Sequence, residues 1–212
     1  MKLYNYFRSS AAYRVRIALT LKGLPYDYIP VHIAKGRQFE PPFADLNAQN
    51  LVPVLDDEGQ LFTQSLAIIE YLEETRPEPP LLPADAVGRH RVRSLALLIA
   101  CEIHPINNLR VLHYLTRTLG VTDEQKHAWY RHWVHTGFTA LERRLAGETS
   151  TGRYCHGATP GLADIALVPQ VANARRFEVD LGAYPTIVRI DAACRALPAF
   201  QAAAPENQPD AE

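Results

Sequence analysis

A chain of 212 residues, 47% hydrophobic and 21% charged, can bury a sizeable core in one large domain or two small ones, and its balance excludes a disordered polypeptide. The formal net charge of -1 gives no basic excess of the kind a nucleic-acid-binding face needs. Three scattered cysteines form no CxxC pair, no apolar stretch follows MKLYNYFRSS, and no run of membrane-spanning length is expected, so the reading is a soluble, cytoplasmic protein with no nucleic-acid or membrane partner.

Lys2–Tyr6 has strand character, and Ala12–Lys22 follows as a helix with Val15, Ala18 and Leu19 on one stripe and Arg14, Arg16 and Lys22 able to reach water. Gly23 stops it, and Tyr26–Val31 returns to a strand. A loop over 32–50 holds a short helix at Phe43–Leu46. Val52–Leu55 and Gln60–Thr63 flank Asp56-Asp57-Glu58-Gly59, a hairpin signal. Ser65 is placed to cap a helix over Leu66–Glu74. The proline-dense RPEPPLLP then acts as a linker.

Beyond the linker the pattern is helical throughout, with helices expected near Val87–Thr118, Thr122–Ala146, Leu162–Arg176 and Thr186–Ala196. The polar tail from Ala204 is expected to fray. The fold class is therefore an α/β thioredoxin-sized module over 1–77, followed by an all-α domain over 84–212.

Chemistry enters at FRSSAAYRVRIAL, where Arg8, Ser9 and Ser10 stand between a strand and a helix. A helix start favours an anion, and a serine hydroxyl there can donate to a thiolate and lower the thiol's pKa. For two serines ahead of an arbitrary helix, simple capping is the commoner role. The histidines at 127, 132 and 135, interleaved with Trp129 and Trp133, lack HExxH spacing and any carboxylate; they read as a packed helix face, with no metal expected. Asp164, three residues after Gly161, reads as a capping residue.

The run SSAAYRVRIALTLKGLPYDY resembles the signature of the zeta-class glutathione transferases, SSCxxRVRIAL followed by KG and an aromatic-rich strand, with Ala11 in place of the family's cysteine. NLVPVL, FTQSLAIIEYLEE, IACEIHPINNLRVLHYL and VPQVANARRFEVDL carry the resemblance from Leu3 to about Pro209. It implies a thioredoxin-like domain plus a helical domain, paired as a homodimer, with glutathione as cofactor. Ser9 would face the glutathione sulfur, supported by Ser10. A cis bond between Val52 and Pro53 would expose the Val52 backbone to the tripeptide as an added strand. Gln64 and Ser65 would hold the γ-glutamyl carboxylate, and Gln38 the glycyl end.

The same resemblance assigns His104 (where the family more often has Gln), Asn108 and Arg110 to a segment lining the cleft, and makes Arg176 a substrate-binding residue. Arg8, Arg110 and Arg176 would grip a small dicarboxylic keto acid, since guanidinium groups pair two-pronged with carboxylates. Arg14 and Arg16 are structural or interface residues on this reading, and Arg175 an exposed neighbour. Zeta-class members isomerise maleylpyruvate or maleylacetoacetate, and the resemblance favours maleylpyruvate for this chain, with maleylacetoacetate close behind. Two alternatives stand beside this: a conjugating or dehalogenating transferase, which would consume glutathione, and a non-catalytic module of the same fold, which would not bind it.

Overall fold

The computed structural model describes residues 1–212, and the chain divides into two compact units, 1–81 with 195–212, and 82–194. The second expected domain therefore ends early: the last 18 residues belong with the first unit.

In the first unit, β1 (Lys2–Asn5), α1 (Ser10–Leu21) and β2 (Asp27–Pro30) form a β-α-β crossover, with β1 and β2 parallel and Lys2 opposite Asp27. A four-residue α2 (Phe43–Leu46) precedes β3 (Val54–Asp57) and β4 (Gln60–Thr63), and α3 (Ser65–Thr75) completes the module. The sheet order is β2-β1-β3-β4, with β3 antiparallel to both its neighbours. The hairpin turns on two residues rather than four. Glu58 and Gly59 both take positive φ (55° and 85°), as a type I′ turn requires, and the Asp56 carboxylate accepts from the Gly59 N–H at 2.9 Å.

Helix α1 has no wet face. Ala12, Val15, Ile17, Ala18 and Leu19 are wholly buried, and so, against expectation, are Arg14, Arg16 and Lys22 at 2%, 0% and 7% exposure. The reason is that α1 packs on both α3 and α9 (Pro198–Ala203) of the terminal segment. Buried cations need oxygen partners. The Arg16 guanidinium donates to the carbonyls of Ala203 (3.0 Å), Phe7 (3.0 Å) and Tyr6 (3.4 Å) and to Asn5 Oδ1 (3.0 Å). Lys22 Nζ donates to Glu73 Oε2 (2.8 Å) and to the carbonyls of Arg76 (2.7 Å) and Pro79 (3.0 Å).

The expected fraying of the tail is also overturned. Gln208 is 8% exposed and turns its amide back onto the carbonyls of Ala202 and Ala204, at 2.9 and 2.8 Å. Asp210 accepts from the Phe7 N–H at 3.3 Å and from the Tyr28 hydroxyl. A polar composition predicted fraying because it says nothing of partners elsewhere in the chain.

In the second unit, α4 (Ala86–Leu97) continues through wider π-type turns over 98–103 to a 3₁₀ turn at Pro105–Asn107. Pro105 thus ends the run where a single helix to Thr118 was expected, and α5 (Leu109–His113) restarts it with Asn108 as cap. The helical stretch 86–118 has the expected length, but against the expectation of no such run it is apolar enough, by length and composition alone, to cross a membrane. Within its unit it packs on α6 (Asp123–Gly147) and α7 (Leu162–Arg176). The crossing with α6 is close enough that a Cβ on Gly137 would lie 2.3 Å from the Ile103 side chain. Thr122 caps α6 with Gln125 in a reciprocal box. The Asp164 carboxylate fixes the start of α7, accepting from the N–H groups of Gly161 (2.9 Å) and Cys155 (2.8 Å). Helix α8 (Pro185–Arg195) closes the unit.

Candidate active site

Ser9 ends the turn after β1 and caps α1: its backbone is extended (φ -70°, ψ 113°) and its Oγ accepts from the Ala12 N–H at 3.2 Å. The capping role and an outward-facing hydroxyl are compatible, because a hydroxyl that accepts one bond still has its own proton to donate. Ser9 is half-buried, and Ser10, the first helical residue, is buried. Arg8 is exposed, with its guanidinium 4.8 Å from the Phe7 ring centroid and one nitrogen donating to the Glu212 carbonyl at 3.4 Å.

The second part of the site gathers around α3. The Val52-Pro53 bond is cis, and Val52 lies ahead of β3, outside its ladder. Ser65 does not cap α3 as expected. It is the first helical residue, and Gln64 occupies the cap position with φ 68° and ψ 109°. A bulky side chain at positive φ costs about 1–3 kcal/mol and persists where surroundings impose it. Here the Gln64 side-chain amide donates to Gln49 Oε1 at 3.0 Å. Replacing Gln64 by Gly is expected to raise unfolding free energy by about 1 kcal/mol, read as a higher urea midpoint at unchanged slope.

The Ser65 hydroxyl, 7% exposed, accepts from the buried Arg14 guanidinium at 3.3 Å. That leaves the hydroxyl proton pointing away from the cation, available to an anion at the α3 N-terminus. Arg14, read from the sequence as structural or interface, thus backs a candidate site residue. Its signal was present: AAYRVRIAL is apolar on every helical face, so its arginines have no exit to water. Gln38 lies in a short 3₁₀ turn, 8% exposed, and its side-chain oxygen has no hydrogen-bond partner in the protein.

In the second unit, Asn108 Oδ1 accepts from the Val111 N–H at 3.1 Å and so caps α5 where the 104–107 turn ends. Arg110 is exposed on α5. Arg176, the last residue of α7, lies 4.9 Å over the Phe177 ring, which stacks at 3.6 Å on Tyr130 of α6. One residue away, Trp129 Nε1 donates to the Ile106 carbonyl at 3.0 Å. Adjacent residues of α6 therefore hold the 104–108 turn and the Arg176 platform. Burial pushes the Tyr130 hydroxyl up to about 12, against the pull of the Arg176 charge, so it stays a neutral support. Arg175 is no mere neighbour: it pairs at 2.6 Å with Asp191, whose side chain is wholly buried. His135 meets the Tyr184 hydroxyl at 2.7 Å and His127 stands edge-on to Phe177, so these histidines are packing residues of α6.

Residues 3–80 match the glutathione S-transferase N-terminal domain family. Over 210 residues, and 99% of both chains, the sequence is 54% identical to a maleylpyruvate isomerase of a Ralstonia species. It is 55% identical over 211 residues to a probable maleylacetoacetate isomerase of Vibrio cholerae, covering 99% of this chain and 97% of that one. Among solved structures, a holo maleylpyruvate isomerase described as a bacterial zeta-class glutathione transferase superposes over the full length of both chains with a TM-score of 0.98 at 54% identity. A maleylacetoacetate isomerase of Methylobacterium extorquens, bound to malonate and glutathione, superposes over the full length of both chains with a TM-score of 0.97 at 42% identity.

Proposed function

Because the chain belongs to the zeta class of glutathione transferases, we propose that it is a glutathione-dependent cis-trans isomerase that converts maleylpyruvate to fumarylpyruvate. The observation that carries this reading is the pair of helix starts in the first unit. At one, a serine hydroxyl caps α1; at the other, Ser65 backed by a buried guanidinium opens α3. The first suits a thiolate and the second a carboxylate, matching the cysteine sulfur and the γ-glutamyl carboxylate of glutathione.

Glutathione would supply the nucleophile, since Ala11 stands where the family has cysteine and neither buried thiol is reactive: burial pushes Cys155 and Cys194 up. The residues proposed to hold it are Ser9, Gln38, Val52, Pro53, Gln64, Ser65, His104, Asn108 and Arg110. The thiolate adds to the cis double bond, forming a C–S bond and an enolate. Rotation follows about what is now a single bond. Collapse of the enolate expels the thiolate and leaves the trans alkene. Ser9, with Ser10 in support, stabilises the thiolate at the start and the end. Arg8, Arg110 and Arg176 pair with the substrate's carboxylates and offset the enolate charge. Glutathione is regenerated, so it acts as a cofactor.

Maleylacetoacetate is the second reading, favoured by the Vibrio relative's similar identity. We further propose a homodimer in the cytoplasm, where three free cysteines would remain reduced. The test is an ultraviolet assay of each substrate with purified enzyme, with and without substoichiometric glutathione. Maleylpyruvate is expected to convert faster, only with glutathione, and without net loss of it. Stoichiometric consumption would indicate a conjugating transferase instead.

A further inference from the structure

The three residues ahead of Ser9 are each tied to something distant in sequence. The Ser9 N–H donates to the Tyr6 carbonyl at 2.9 Å. That carbonyl and the next one, Phe7, also accept from the buried Arg16 guanidinium, at 3.4 and 3.0 Å. On its other side the Phe7 peptide offers its N–H to Asp210 Oδ2 at 3.3 Å, while Arg8 donates to the Glu212 carbonyl. So one peptide unit, two residues before the hydroxyl, is held between a cation on its oxygen side and a carboxylate on its nitrogen side.

The tail that brings this carboxylate is itself pinned. Asp210 Oδ1 accepts from the Tyr28 hydroxyl of β2. Glu212 Oε1 meets His32 Nε2 and Lys35 Nζ, each at 2.9 Å. Arg16 Nε reaches the Ala203 carbonyl, so the same guanidinium that holds the turn also holds the start of the tail. Burial lowers the Arg16 pKa, and the nearby Tyr28, Tyr26, Tyr13 and Asp210 oppose that.

Resting on the reading that Ser9 stabilises the glutathione thiolate, we infer that the terminal segment is a strap and Asp210 a positioning residue for Ser9. Its carboxylate fixes the Phe7 peptide and thereby the direction in which the Ser9 hydroxyl is presented. It would act through the Phe7 peptide rather than by contact with the reacting groups. An error of about 1 Å in such a group costs up to about a hundredfold in rate, and a loosened loop that still samples the correct position costs less.

The test is a set of full-length variants, Asp210→Ala, Asp210→Asn, Ser9→Ala and the Ser9→Ala/Asp210→Ala double, each measured for kcat, for both KM values and for amide exchange over residues 7–12. Asp210→Ala is expected to lower kcat about tenfold with both KM values within about twofold, since the lost interaction acts on the reacting group rather than on binding. Amide protection at Phe7–Ala12 is expected to fall. Asp210→Asn, which keeps an acceptor oxygen, is expected to recover most of kcat. In the Ser9→Ala background the Asp210→Ala cost is expected to shrink to less than about twofold, because coupled groups are not additive. An equal cost in both backgrounds, or unchanged exchange at Phe7, would overturn the strap and leave the role of Ser9 intact. Full turnover in Ser9→Ala would overturn both.

Discussion

Ser9→Ala is expected to cut isomerisation about a hundredfold, the loss that follows removal of one preorganised donor from a charged reacting group. The hydroxyl accepts from the Ala12 N–H and keeps its proton free to donate, and a thiolate is the partner that most needs it. Without that donor the bound thiol titrates closer to its ordinary value of about 8.5. The acid limb of the pH-rate profile, which rises as the thiol ionises, should therefore move to higher pH, with turnover partly restored there. Glutathione affinity should change by less than about tenfold, or about 1.4 kcal/mol, since the peptide's other anchors remain.

One confounding effect has a known size. Ser9 also caps α1, and replacing a capping serine by alanine costs about 1 kcal/mol of stability, whereas glycine costs only a few tenths. Ser9→Gly separates the two roles. It should be as slow as Ser9→Ala while melting close to the parent protein. Should Ser9→Gly turn over normally, the hydroxyl is a cap and nothing more, and the thiolate is stabilised by some other group.

The contrast between what could and could not be read from the sequence is sharpest along α1 and its neighbours. Periodicity and punctuation found the β-α-β start, the hairpin, the short helix at Phe43–Leu46 and the bounds of α7, because each is set by residues close in sequence. The Ser9 cap was legible for the same reason. Ser65 was misassigned by one position because Gln64 adopts a positive φ that a glutamine does not advertise. Arg14, Arg16 and Lys22 were given to water because a helix's wet face is set by what packs on it, and here that includes a tail nearly 190 residues away. The tail's own order has the same origin: Asp210 has value only beside Phe7 and Tyr28. Long-range partners, rather than local preference, account for the misses along α1 and in the tail.

Lys22 supplies the largest expected effect on stability. Its ammonium has no exposed surface, and it joins the end of α1 to Glu73 of α3 and to the carbonyls of Arg76 and Pro79 in the chain that follows. Glu73 in turn accepts from the Leu81 N–H at 3.0 Å. Lys22→Met fills most of the same volume but strands the Glu73 carboxylate, and removing one partner of a buried pair costs about 3–5 kcal/mol. For a chain of this size each kcal/mol lowers the melting temperature by about 2–4 °C, so a drop on the order of 10 °C is expected in scanning calorimetry without glutathione. The Lys22→Met/Glu73→Leu double variant removes the stranded charge and should melt above Lys22→Met alone, though below the parent, because three backbone groups still lose their partners. A Lys22→Met protein melting within about 2 °C of the parent, under 1 kcal/mol by the same scaling, would mean that water reaches Glu73 and that the junction is far less dry than its geometry indicates.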